Sequence, residues 1–264
     1  MRVGIVQSTP EFGEIQRNLD EVEQLMESHE AELWVLPELF ASGYLFLNRE
    51  EAKALAEPLG EGPIFEAMLR WAKSHDAAIC GGIAERDGDK IYNSALLLHP
   101  GGTLASYRKL HLFHGEKDVF DLSHTPPPVA EWRGAQLGIM ICFDWRFPET
   151  ARSLAIDGAD LILHPSNLVL SSSPAAMVTR ALENGVFIFT ANRGGVDDRG
   201  SQRLEFLCGS QAVDPSGKVL GNIPPGGKGV LVVEIDPARA RDKSVAERND
   251  LLADRRPEHY HLKS

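Results

Sequence analysis

Leu137-Gly138-Ile139-Met140-Ile141-Cys142-Phe143-Asp144-Trp145-Arg146-Phe147-Pro148-Glu149 is the stretch on which the reading of this chain turns. An apolar, strand-like run over residues 136–142 ends on a cysteine, and a helix is expected to begin at Pro148, where proline suits the first turn. A thiol at the exit of a buried strand stands where α/β sheets present their ligand crevice. Backbone N–H groups in such a turn can hold a developing oxyanion, and the Phe143 N–H, just after the thiol, is the natural donor. The bland reading is a small core residue, since free cysteines are among the most buried side chains. From this corner alone both readings stand.

Working outward, apolar runs with strand character alternate with helix-period segments. Strands are expected at 3–7, 33–36, 77–83, 92–98 and 104–109, with Pro100-Gly101-Gly102 turning a hairpin. After the Thr125-Pro126-Pro127-Pro128 connection, strands are expected at 161–164, 186–191, on both sides of Asp214-Pro215-Ser216-Gly217, and at 229–235. Helices are expected with Ile15, Leu19, Val22, Leu25 and Met26 on one stripe, from Pro63 with Ile64, Met68, Trp71 and Ala72 inward, over 148–156, and over 175–184 closed by Gly185. This order predicts an α/β protein with mixed sheets. No linker divides it, so one domain over residues 1–264 is expected, with 250–264 a C-terminal tail suited to docking on a partner subunit.

Two other strand ends carry charges. Leu36-Pro37-Glu38-Leu39-Phe40 sets a carboxylate among apolar neighbours, where desolvation raises its pKa towards a general base's range. Tyr107-Arg108-Lys109-Leu110-His111-Leu112-Phe113 sets a cation in the same kind of place. Alone, each reads more simply as a turn or strand-end charge. Together with Cys142 they offer a base, a cation and a thiol, and parallel strand ends gather on one edge of a sheet. Glu116, seven residues past Lys109, is a candidate second carboxylate for positioning an amide.

Composition narrows the classes. The chain has 264 residues, 43% hydrophobic and 25% charged, enough for a well-filled core. A formal charge of −11 argues against nucleic acid or an anionic membrane as partner, and favours a small molecule. No run approaches the roughly 20 apolar residues that span a bilayer. Residues 1–7 are too short an apolar run for a signal peptide. Three cysteines, Cys80, Cys142 and Cys208, cannot frame a disulfide scaffold, and reduced thiols in a cytoplasmic protein are expected. Cys80 reads as strand core and Cys208 as structural. His111, His114 and His124 are better explained as the wall beside Lys109 than as a metal site. No Cys-x-x-Cys pair or resolving thiol supports a redox role.

The three motifs, in this order, resemble the nitrilase superfamily of carbon–nitrogen hydrolases. The likeness extends to His164-Pro165-Ser166-Asn167, Arg180-Ala181-Leu182-Glu183-Asn184 and the 214–217 turn, and so covers nearly the whole chain. It implies a four-layer α-β-β-α sandwich with two mixed sheets, and homodimers packed through their α faces. It further implies that Cys142 attacks a carbonyl or nitrile carbon, Lys109 holds the oxyanion and Glu38 serves as base and acid, with a thioester intermediate and no cofactor or metal. Glu116 matches the family's additional glutamate, and Asn167 falls on a pocket-forming loop. True nitrilases usually carry Trp-Glu after the nucleophile, and carbamoyl-polyamine hydrolases Trp-Asp. Phe143-Asp144 resembles the small-amide branch and the short thermostable members that accept aliphatic nitriles. The expected substrates are a small aliphatic amide first, an N-carbamoyl amine (ureide) second and a nitrile third. A member that only binds a ligand or protein is the non-enzymatic alternative.

Overall fold

Alternation of side chains builds the first sheet. In the computed structural model, which describes residues 1–206 and 209–261, strand β1 (Arg2–Gln7) sends Val3 and Ile5 to one side and Val6 to the other. Strand β2 (Leu33–Val35) repeats this, with Leu33 and Val35 on the first side and Trp34 on the second. Between them, α1 (Ile15–Glu27) lays Leu19, Val22 and Met26 against the second side. The short α2 (Arg49–Leu55) and then α3 (Pro63–His75) follow, the latter starting on its proline and burying Ile64, Met68, Trp71 and Ala72. Strands β3 (Ala78–Asp87), β4 (Lys90–His99) and β5 (Gly102–Arg108) complete an antiparallel run through the expected hairpin.

The second half has a similar order. It contains α4 (Glu116–Val119), β6 (Val129–Trp132), β7 (Ala135–Ile139), α5 (Pro148–Ile156), β8 (Leu161–Pro165), α6 (Ser173–Asn184) and β9 (Phe187–Ala191). Gly185 closes α6 at φ +60°, a left-handed position that suits glycine. A small hairpin of β10 (Val196–Asp198) and β11 (Arg203–Glu205) precedes β12 (Ser210–Val213), β13 (Val219–Ile223) and β14 (Gly229–Glu234). A last short pair, β15 (Ser244–Ala246) and β16 (Asn249–Asp250), lies in the C-terminal segment.

The strand orders are β14-β1-β2-β3-β4-β5 and β13-β12-β9-β8-β7-β6. Each sheet has three adjacent parallel strands, β1-β2-β3 and β7-β8-β9, and the remaining pairings are antiparallel. Both sheets are therefore mixed. Their inner faces pack together, Val3, Ile5, Val35 and Cys80 in one cluster with Leu137, Ile139 and Leu161. Helices α1 and α3 cover the outer face of the first sheet, and α5 and α6 that of the second. The result is the four-layer α-β-β-α sandwich. Cys80 is core, as expected, and Cys208 lies outside the described residues.

Two details depart from the sequence reading. The strand expected through Cys142 leaves the ladder after Ile139, because the Asp144 carboxylate accepts the Ile141 N–H (2.9 Å) and the Asp144 N–H bonds Ile141 O (3.0 Å), folding residues Cys142–Arg146 into a 3₁₀ turn. The three strand ends also do not share one sheet edge. β2 and β5 belong to the first sheet and β7 to the second, so the ends meet across the sandwich.

Candidate active site

Glu38 reaches the site along the side of β3. Leu36 N–H bonds Cys80 O (2.8 Å) and Gly82 N–H bonds Pro37 O (3.1 Å), which carries the chain beyond β2 in an extended path. Gly82 is required here, since a Cβ would stand 2.5 Å from Glu38 Cα. The Glu38 side chain is fully buried; its Oε1 accepts from Asn93 Nδ2 and Lys109 Nζ, each at 2.7 Å. Its Oε2 has no donor among the described residues.

Lys109 follows β5, held to β4 by its N–H on Asn93 O (2.8 Å). Its buried ammonium donates to Glu38 and, at 2.8 and 2.9 Å, to the two oxygens of Glu116. Glu116, at the start of α4, also accepts from Tyr44 Oη (2.6 Å) and Phe113 N–H (3.2 Å). One cation thus bridges two buried carboxylates.

Cys142 starts the 3₁₀ turn at φ +39°, a backbone conformation that L residues avoid. Its thiol lies 3.6 Å from Asn167 O, and the Asn167 side chain donates to Glu38 O at 2.9 Å. That bond ties the loop after β8 to the loop after β2. Phe143 turns its ring towards Phe113 and Phe147, with centroids at 5.0 and 5.5 Å. Its N–H lies in the first turn, where a helix offers no internal acceptor.

Electrostatics set the proton inventory. Burial opposes the charge of Lys109, yet Glu116 and Glu38 outweigh it and hold the ammonium well above its ordinary pKa. Burial pushes Glu38 up, and Lys109 only partly offsets it. Burial and the Glu38 charge push the Cys142 thiol well above its usual value, against the pull of Lys109. These shifts favour the protonated thiol at Cys142 and the charged ammonium at Lys109.

The corner has a support that the sequence reading did not single out. Buried Asp144 accepts from His111 Nδ1 (2.7 Å), His111 N–H (3.2 Å) and Tyr107 Oη (2.9 Å), besides Ile141 N–H. His111 also stacks on Phe147 with centroids 3.7 Å apart. Asn93 and Tyr44 were missed as well. The signal for Asn93 was a lone amide inside the apolar run 91–98; Tyr44, on an irregular loop, offered none.

Space for a ligand lies on two sides. A narrow cleft at Cys142 is walled by Phe113, Phe143, Trp145, Asn167 and Leu168. It shares Phe113 and Val169 with a cavity of about 390 Å³ whose walls include Tyr44, Phe46, Val119 and Phe120, with Glu116 among them. Among the described residues no group of His, Cys, Asp and Glu side chains could hold a metal ion, and no helix is long and apolar enough to cross a membrane.

Known proteins share this sequence pattern and fold. The family model for carbon-nitrogen hydrolases matches residues 2–243. A nitrilase of Pyrococcus abyssi is 41% identical over 98% of this chain and 99% of its own length. An (R)-stereoselective amidase of a Pseudomonas species is 34% identical, over 83% of this chain and 80% of its own. An amidase of Nesterenkonia sp. AN1 superposes with a TM-score of 0.79 at 31% identity, covering 98% of this chain and 94% of that one. In that solved structure, of a glutamate-to-glutamine mutant, the active-site cysteine carries the acetamide moiety of fluoroacetamide. This chain belongs to the carbon–nitrogen hydrolase family, the nitrilase superfamily of cysteine enzymes that cleave amides or nitriles.

Proposed function

We propose that the chain hydrolyses a small aliphatic amide to ammonia and a carboxylate, with Cys142 as nucleophile, Glu38 as general base and acid, and Lys109 as oxyanion partner. The observation that carries this reading is the buried Glu38–Lys109–Glu116 chain beside a protonated thiol. The thiol proton passes to Glu38 as Sγ bonds the carbonyl carbon. The carbonyl electron pair moves to oxygen, facing the Lys109 ammonium and the Phe143 N–H. Glu38 then protonates the nitrogen, the C–N bond breaks, and ammonia leaves a thioester on Cys142. Water attacks that thioester, giving a proton to Glu38, and the carboxylic acid departs as sulfur regains a proton.

Glu116, fixed by Tyr44 and Phe113, holds Lys109 in place and stands at the junction with the larger cavity. The apolar walls of that cavity suit an alkyl chain. Asn167 ties the thiol's loop to the base's loop and lines the cleft. Nitrile hydrolysis is a second reading, favoured by the 41% identity to the Pyrococcus nitrilase. It would use the same thiol and two waters in place of one. We further read the α5–α6 face, where Ile156 and Leu182 stand exposed, as the surface on which two copies pack.

The test is ammonia release from matched amides, ureides and nitriles, with Cys142→Ala in parallel. Wild type is expected to favour an amide, with an acyl adduct on Cys142 in quenched samples by mass spectrometry. Loss of the nucleophile should cost on the order of 10⁴–10⁶-fold. Equal ammonia from Cys142→Ala would remove this residue from the chemistry, and a nitrile preferred over its amide would replace the first reading by the second.

A further inference from the structure

The mechanism leaves a buried histidine beside the nucleophile unused. His164, on β8, is fully buried. Its Nε2 lies 3.0 Å from the carbonyl oxygen of Cys142, and its Nδ1 lies 3.0 Å from Thr190 Oγ1. A carbonyl only accepts, so Nε2 carries the ring proton. Nδ1 is then bare and accepts the Thr190 hydroxyl proton. Thr190 sits on β9 directly opposite His164 in the parallel register, so the pair is built into the ladder. Burial pulls the histidine's pKa down to about 4, which keeps the ring neutral and in one tautomer at ordinary pH.

We propose that His164, oriented by Thr190, is a positioning residue that holds the Cys142 backbone at its left-handed turn and so aims the thiol at the substrate carbon. This rests on the reading of Cys142 as nucleophile. The residues just before Cys142 are fixed from elsewhere, Met140 by Leu163 O (3.1 Å) and Ile141 by Asp144. Among the described residues, the side-chain donor on the Cys142 carbonyl itself is His164. An apolar residue could fill the ring's volume, but it could not hold that carbonyl. The effect should therefore fall on the aim of the sulfur and not on substrate binding.

The experiment compares His164→Leu, His164→Gln and Thr190→Val with wild type. It reads kcat and KM on the preferred substrate, the rate of Cys142 alkylation by iodoacetamide, and Tm. Misplacing a reacting atom by about 1 Å can cost roughly 10²-fold, so His164→Leu should lower kcat and the alkylation rate by roughly 10–100-fold, with KM little changed. His164→Gln can place an amide N–H near the lost Nε2–H and should restore most of both rates. Thr190→Val, which removes the hydroxyl that orients the ring, should lose only several-fold.

A residue that merely packs would lower Tm while leaving the rates of the folded protein alone. Rates for His164→Leu within about twofold of wild type per folded site would overturn the proposal. If that variant does not fold, unchanged rates in Thr190→Val, or equal losses in Thr190→Val and His164→Gln, would overturn it. Alkylation needs no turnover, so failure of the proposed hydrolysis would show separately, as absent ammonia with Cys142 still alkylated.

Discussion

The two sheets share a plan, three parallel strands flanked by antiparallel ones, but contribute opposite things to the site. The first sheet delivers charge: Glu38 beyond β2, Lys109 beyond β5 and Glu116 just after. The second delivers the thiol beyond β7, with neutral partners from β8 and β9, namely His164, Asn167 and Thr190. The division has a physical consequence. A thiol facing the Lys109 cation alone would be drawn towards thiolate, whereas burial and the Glu38 charge favour the protonated form. Changes in the first sheet should therefore alter proton and charge, and changes in the second should alter aim.

The sharpest way to break that contrast is Glu38→Gln. If Glu38 is the general base proposed above, its loss should cost about 10²–10⁴-fold in kcat. Its stability effect runs the other way. Folding raises the Glu38 pKa above 4.5, so the stability that its protonation contributes is present below that pH and fades as pH rises through the folded value. Wherever it is ionised the buried carboxylate is a cost, and glutamine should leave Tm equal or higher. A Tm that falls at pH 7 would mean that the charge is itself a structural support.

Lys109→Met should cost roughly 10²–10³-fold, the scale of a lost oxyanion donor. It should also remove about 3–5 kcal/mol of stability, because Glu38 and Glu116 remain buried without their cation. The raised Lys109 pKa means that its contribution is intact below the unfolded value and lost only as pH climbs through the folded one. In thermal melts the penalty should shrink as pH falls, because the carboxylates left without their cation take up protons. Both substitutions should cut turnover, and only Lys109→Met should cost stability at neutral pH.

Much of this was legible in the sequence because burial writes itself as pattern. The alternation at Val3, Ile5, Leu33 and Val35 and the helical stripe of α1 and α3 fix the layers on each side of the first sheet. Glu38 and Cys142 stood out because each ends an apolar run with a chemically active group, and Lys109 because it closes a strand. What stayed illegible depends on contacts distant in sequence. Asn93 meets Glu38 55 positions away, and Tyr44 meets Glu116 72 positions away. The sharing of strand ends between two sheets follows from tertiary packing, which leaves no local mark. Short elements such as α2, α4 and the β10–β11 hairpin were passed over because so few residues carry no measurable period.

The smallest effect is the most discriminating. Asn93→Leu keeps the volume of the strand interior but removes one of the two hydrogen bonds to Glu38 Oε1, leaving that of Lys109. It also removes Asn93 Oδ1, which is buried without a donor among the described residues, so the fold should lose little. A hydrogen bond to the charged carboxylate favours ionisation, and its loss should raise the Glu38 pKa further. The base acts as carboxylate, so activity rises with pH, and the acid limb of kcat/KM should move to higher pH. The loss should be largest on the acid limb, shrinking towards wild type on the alkaline plateau. A uniform loss at every pH would mean that Asn93 aims the base instead of tuning it, and the first sheet would then share the role assigned to the second.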